Sequence, residues 1–252
     1  LSFWPMSKLP NAPLLEVIFE LRWQSNNPED LKKAQYIHGD LYSSLKGKYP
    51  VRESLAPPEV PLEVLLNKPV HRFRAEPNNY PLYQVGPGLL TLNTTDEIYY
   101  WEDFYNKANE LLEAFINISP FDQRKDFYPN LIYYDFFKFD FERNNVNKYI
   151  SDNFNIKFEQ HFLDVDANPN NINIGFYYRI SLGDIAIMFR RGKNKKDEDG
   201  IAVQTKLHGK AYKLEKDSLL SWLSEAHEFC SEAFKKLTSG PLYESFKKEY
   251  YE

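Results

Sequence analysis

A layout that occurs twice constrains this chain more than any motif in it. A strand-like alternating run opens each half. In the first it is Leu15, Val17, Phe19, Leu21 and Trp23; in the second Ile132, Tyr134 and Phe136 pass to Phe137, Phe139 and Phe141. Apolar residues at every second position mark a half-buried strand. Each run leads through helical sequence to further strands and then to a longer amphipathic helix, Trp101–Ile118 in one half and Lys216–Leu237 in the other.

That order predicts an α+β fold of two similar halves, 1–122 and 123–252, packed as one globular body. Each half is expected to be a curved antiparallel sheet with a long helix packed on it, the logic of helix-grip and TATA-binding-protein-like duplications. The seam between the halves is the first place to look for a partner or ligand.

Local signals place the elements. Asn27 followed by Pro28 reads as an N-cap with proline at the first helical position, opening a helix that reaches about Lys48. On its apolar stripe, His38 is expected to be a core-edge histidine. Pro57, Pro58, Pro61 and Pro69 make 50–69 an irregular connection. Strands are expected at 71–75, 82–85 and 89–93, with Gly86-Pro87-Gly88 turning between the last two. The second half continues with a strand over 131–141, a short helix over 146–153, and strands at 172–182, 185–191 and 201–208. Gly183-Asp184 is read as a tight turn and 192–200 as a long charged loop. A terminal helix starts at Pro241 and ends in Tyr250 and Tyr251.

Aromatic residues make up 16% of the chain, as 18 Tyr, 19 Phe and 4 Trp, which suits large rings filling a core and sheet faces. A net charge of -5 argues against a general nucleic-acid surface while leaving room for a local basic patch. The single cysteine, Cys230, excludes an internal disulfide. No apolar run approaches the roughly 18 residues needed to span a membrane. Leu1–Pro10 carries no basic stretch followed by an apolar one, so we expect no signal peptide and a cytoplasmic protein.

Catalytic signatures are missing. The chain has no Gly-x-Gly-x-x-Gly, P-loop, His-Glu-x-x-His, Gly-x-Ser-x-Gly or Cys-x-x-Cys. Its histidines, His38, His71, His161, His208 and His227, are dispersed, so neither a metal nor a cofactor is expected. His227 and Cys230, at i,i+3, share a helix face, but a buried apolar cysteine is the simpler reading than an activated pair. Glu16 and Glu20 share a strand face with Arg22, where ion pairing is simpler than acid–base chemistry. Arg72, Arg74 and Glu76 read as the outer face of an edge strand. Arg190, Arg191, Lys193, Lys195 and Lys196 are the candidate polyanion contact, although Asp197, Glu198 and Asp199 nearly cancel them.

The run Leu9-Pro10-Asn11-Ala12-Pro13-Leu14-Leu15-Glu16-Val17-Ile18-Phe19-Glu20-Leu21-Arg22-Trp23 resembles the opening of an uncharacterised, sporadically distributed bacterial family. Val85-Gly86-Pro87-Gly88-Leu89-Leu90-Thr91-Leu92-Asn93, with Tyr100-Trp101-Glu102 and Phe104 after it, is similar to that family's second motif. Leu131-Ile132-Tyr133-Tyr134-Asp135 occupies the place of the third, with Ile132 where an arginine is common, which puts any role of that arginine in question here. Ala226-His227 and Phe234 match its C-terminal element. The patchy distribution implies mobile genes, of the kind that serve in phage defence or toxin–antitoxin-like pairs.

The leading expectation is a non-enzymatic binding or regulatory subunit with a protein partner encoded nearby. Its ligand or partner groove is expected to include Glu20, Arg22, Trp101, Glu102 and His227. One alternative is an enzyme or nucleotide-processing effector, in which Arg22, Glu20, His227 and Glu102 converge in one cleft between the halves. Another is a nucleic-acid binder through the 190–196 hairpin. Homo-oligomerisation is left open, and no membrane association is expected.

Overall fold

The computed structural model describes residues 9–25, 27–158 and 169–248. Its strands are β1 (Leu14–Trp23), β2 (Val51–Ser54), β3 (His71–Arg74), β4 (Leu82–Gly86), β5 (Leu89–Thr95), β6 (Phe127–Lys138), β7 (Asn173–Ile180), β8 (Gly183–Lys193) and β9 (Asp199–Gly209). The helices are α1 (Pro28–Leu45), α2 (Trp101–Ile118), α3 (Val146–Asn153), α4 (Lys216–Leu237) and α5 (Pro241–Phe246). The fold is α+β, as the alternation predicts. Among the described residues no helix is long and apolar enough to cross a membrane.

All nine strands form one antiparallel sheet in the order β2-β3-β4-β5-β1-β6-β9-β8-β7. The opening strand of each half lies at the centre, and β1 pairs with β6 from Glu16↔Tyr134 to Trp23↔Phe127. Each of the two also pairs with the last strand of its own half, β1 with β5 and β6 with β9. Continuous hydrogen bonding therefore runs across the boundary between the two halves of the sequence.

Strand parity sorts the side chains. Val17, Phe19, Leu21 and Trp23 are at most 2% exposed, and the cross-strand partners on that face include Leu131, Phe127, Leu90 and Leu92. All five helices pack on this face. α1 meets β3 through Tyr42 and Phe73, and α2 meets β1 through Phe115 and Trp23. Trp222 of α4 donates to Leu182 O, α3 reaches Phe137 through Phe154, and α5 reaches Phe137 through Phe246. Two apolar clusters result. The larger draws in α4 together with α1 and α2, and the smaller gathers Phe137, Phe139, Phe141, Val146, Ile150 and Phe189. Removing each large side chain from water contributes on the order of 2–3 kcal/mol.

Several local predictions hold in detail. Asn27 Oδ1 accepts from Asp30 N at 2.8 Å and Pro28 opens α1. Helices α2, α3 and α4 keep the predicted limits. Pro87 and Gly88 turn between β4 and β5, with Gly88 at φ 81°, a conformation glycine adopts without strain.

Other expectations are corrected. The proline-rich connection yields β2, because Val51–Ser54 carries no proline and Glu53 can pair with Arg72 and Arg74 of β3. β3 is accordingly covered by β2 and is not an edge. In the second hairpin the turn is Ser181-Leu182, and Gly183 already pairs with Ile180. Gly183 has φ 147°, and a Cβ there would lie 1.9 Å from His208 O, so this glycine serves close strand approach. The charged loop shrinks to 194–198 as Lys193 pairs with Asp199. His161, Tyr250 and Tyr251 lie outside the described residues.

Candidate functional site

With every described α-helix on one side, the other, uncovered face of the sheet carries none, and the site candidates divide between the two sides. Glu20 and Arg22 point to the uncovered face, where Arg22 Nε and Nη2 donate to the two Glu20 carboxylate oxygens at 2.8 and 3.1 Å. Trp101 and His227 lie on the helical side, stacked at 3.7 Å with their planes 8° apart. Glu102 is exposed in the first turn of α2. The convergence of Arg22, Glu20, His227 and Glu102 in one cleft is not formed, because β1 separates the first two from the others.

The Trp101–His227 stack closes the helical side of the seam. Tyr133 OH lies 2.8 Å from His227 Nδ1 and 3.4 Å from Tyr99 OH. Burial, with the Lys235 charge added, lowers the His227 pKa to about 4, so the ring is neutral at pH 7 and can accept at Nδ1. Burial likewise pushes the neighbouring Cys230 thiol up to about 12. A thiol held protonated beside a weakly basic imidazole has neither partner of a nucleophilic pair activated. Two residues beyond Tyr133 on the same strand face, Asp135 is 5% exposed, and burial plus the Asp96 charge raise its pKa to about 7. This side of the seam is filled by packed rings and polar atoms.

On the uncovered face the first half ties its side chains to one another. The hydrogen-bond network assigns the Gln84 amide with its oxygen toward Arg72, accepting from Nε and Nη2 at 3.0 Å. That orientation turns the amide nitrogen to Thr91 Oγ1 at 3.4 Å. Thr91 donates to Asn93 Oδ1 at 2.7 Å, and Asn93 Nδ2 donates to Glu16 Oε1 at 2.9 Å. A directed row thus crosses β3, β4, β5 and β1, with a guanidinium at its donor end and a carboxylate at its acceptor end. Gln84, Thr91 and Asn93 are each at most 9% exposed.

The second half of the face is less self-contained. Tyr177, Arg179, Asp184, Ala186, Lys206 and His208 line a depression of about 530 Å³. Arg179 pairs with Asp184 at 3.2 Å, and His208 Nδ1 lies 2.8 Å from Asn130 Oδ1. Tyr177 is 71% exposed although its hydroxyl reaches Met188 Sδ at 3.0 Å. Lys206 stands on the floor with no ion pair or hydrogen bond to its ammonium among the described residues. Burial lowers its pKa, partly opposed by the Glu20 carboxylate. A cation held in a depression, next to an exposed ring, is ready to meet an acceptor from outside.

The hairpin cations do not form one patch. Arg191 Nε donates to both Asp199 oxygens at 3.1 Å and its guanidinium lies over the Phe141 ring. Lys193 pairs with Asp197 at 2.9 Å. Lys195 reaches Tyr80, its Nζ 5.4 Å from the ring centroid, while Arg74 lies 5.4 Å from the same ring. The β3–β4 connection and the β8–β9 hairpin thus approach each other over the uncovered face. Arg190 points to that face without an ion pair among the described residues, and Lys196 is exposed.

A second depression, of about 740 Å³, is lined by Lys138, Asp140, Glu142, Lys148, Glu198 and Asp199 among others. Among the described residues no group of three or more His, Cys, Asp or Glu is arranged to hold a metal ion. Sequence reasoning missed Tyr133, Asp135, Tyr177, Lys206 and His208. The signal for the last two was present, since Gln204, Lys206 and His208 alternate with Val203, Thr205 and Leu207 and so share the face opposite the core. Compared with protein-family models, curated proteins and solved structures, the chain matches none, so its function is read from its own geometry.

Proposed function

We propose that the protein is a non-enzymatic binding subunit that holds its partner on the uncovered face of the sheet. The observation that carries this reading is the one-sided placement of the helices. It leaves a broad face made by both halves, on which Lys206 and Arg190 have no ion pair among the described residues and Tyr177 is 71% exposed. Regulatory work within a mobile bacterial defence or toxin–antitoxin-like system is compatible with such a surface. We also read the two halves as a duplicated unit joined through β1 and β6, which the matching neighbours of those two strands support.

The test is co-expression with the product of the adjacent gene, followed by affinity capture. Wild type and a helix-side control, Glu228→Ala, are expected to retain the partner, and Lys206→Glu combined with Tyr177→Ala is expected to lose it. Capture of no partner by wild type, or equal retention by the face variant, would overturn the proposal. Circular dichroism of the variants checks that the fold is kept.

A further inference from the structure

The two edges of the sheet are built differently. β2, at one end, has four residues and carries Arg52 and Glu53. Short charged strands of this kind discourage edge-to-edge pairing. β7, at the other end, runs for eight residues, and from Ile172 to Tyr178 it has no charge and no proline, with the strand formers Ile172, Ile174, Phe176, Tyr177 and Tyr178 among those seven residues. Its register with β8 is unbroken from Asn173↔Arg190 to Ile180↔Gly183, so no bulge twists it away.

The backbone groups that face outward can be assigned. Arg191 N donates to Ile172 O at 3.3 Å, which fixes Ile172↔Arg191 as a hydrogen-bonded pair. Ladder bonds to β8 then fall at Ile174, Phe176, Tyr178 and Ile180. Asn173, Gly175, Tyr177 and Arg179 turn their N–H and C=O groups away from the sheet. No described strand pairs with that side. Tyr177 and Tyr178, at 71% and 56% exposed, stand on opposite faces of the same strand.

We infer that β7 pairs antiparallel with β7 of a second copy of this chain, about a two-fold axis at Phe176. In that register Gly175 faces Tyr177 and Asn173 faces Arg179, so the outward groups of each copy meet their counterparts and no like charges oppose. Gly175 brings no side chain of its own between the paired backbones, and the Tyr177 ring and Met188 side chain of the same chain already lie over it. On the helical side Ile174 faces Tyr178, and the two Phe176 side chains meet, covering apolar surface now in water. A contact of one strand from each copy is small, so the dimer is expected to dissociate on the order of micromolar concentration.

Sedimentation velocity across a concentration series, combined with hydrogen exchange, tests this on the full chain. Wild type is expected to show a reversible monomer–dimer equilibrium. As the dimer fills, the amides of Gly175, Tyr177 and Arg179 should gain protection, while those of Ile174 and Phe176 are protected throughout. Tyr177→Pro removes an outward N–H without touching the β8 ladder, and Tyr178→Glu adds a charge at an exposed position close to the axis. Each is expected to weaken dimerisation at least about tenfold with an unchanged circular dichroism spectrum. A monomer at every concentration, a dimer indifferent to both variants, or unaltered exchange at Gly175 and Tyr177 would overturn the inference.

Discussion

The indole of Trp101 and the imidazole of His227 stack at 3.7 Å with planes 8° apart, joining the first turn of α2 to the middle of α4. Protonating that ring inside the stack is unfavourable because it is buried. An unfolded histidine titrates near 6.5 and the folded one at about 4, so between those values the unfolded chain binds more protons. The stability this contributes is complete above pH 6.5 and is lost as pH falls toward 4. His227→Gln is therefore expected to reduce the slope of stability against pH in that window, as measured by urea denaturation. His71, also held near 4 by burial, keeps part of the slope.

Tyr133 connects the stack to the sheet. Tyr133→Phe removes the hydroxyl between Tyr99 and His227 Nδ1 and leaves both without that partner. The expected cost is about 1–3 kcal/mol. The donor that favours the neutral imidazole is also lost, so the His227 pKa should rise, which NMR titration of the ring would read. An unchanged titration would mean that burial and the Lys235 charge hold it without the hydroxyl.

Asp135 has the opposite sign. Burial and the Asp96 charge raise its folded pKa to about 7, above the ordinary carboxylate value of 3.8. The folded state binds the extra proton between those values, so stability from this group is full below pH 3.8 and is lost as pH rises through 7. Asp135→Asn is expected to raise the melting temperature, and by more at pH 8 than at pH 5. An equal shift at both would show that the carboxyl already ionises below pH 5 in the fold.

In the directed row on the uncovered face, Asn93 sits between Thr91 and Glu16. Asn93→Ala leaves Glu16 and Thr91 without their partner and should cost about 1–3 kcal/mol. Asn93→Asp sets a carboxylate against Glu16 and should cost more at pH 7, with the excess relieved at acid pH. Thermal melts of the two variants at pH 7 and pH 5 distinguish loss of a donor from like-charge repulsion.

How far the sequence reached depended on the range of the interaction. Periodicity is local, and it placed α2, α3 and α4 at their observed limits and put Val17, Phe19, Leu21 and Trp23 in the core. That β1 and β6 in particular join the halves was not readable, because an alternating strand carries no mark of its neighbour. For the same reason Trp101 and His227 were grouped with Glu20 and Arg22, from which the structure separates them. All four lie on or near the central elements, and only strand parity combined with helix placement reveals that a sheet divides them. β2 escaped because the surrounding prolines outweighed four residues whose pairing depends on Arg72 and Arg74, some 20 positions away.

The polarity of the row from Arg72 to Glu16 limits how this surface can change over time. Each interior member accepts on one side and donates on the other, so a substitution that reverses one group sets two donors or two acceptors face to face. Acceptable changes there must arrive as linked pairs, and single steps are penalised. Around Lys206, Tyr177 and Arg190 no such directed chain exists among the described residues, and one replacement at a time is expected to leave the fold intact. The half of the face beyond β6 is thus free to acquire new specificities while the half beyond β1 holds the scaffold constant.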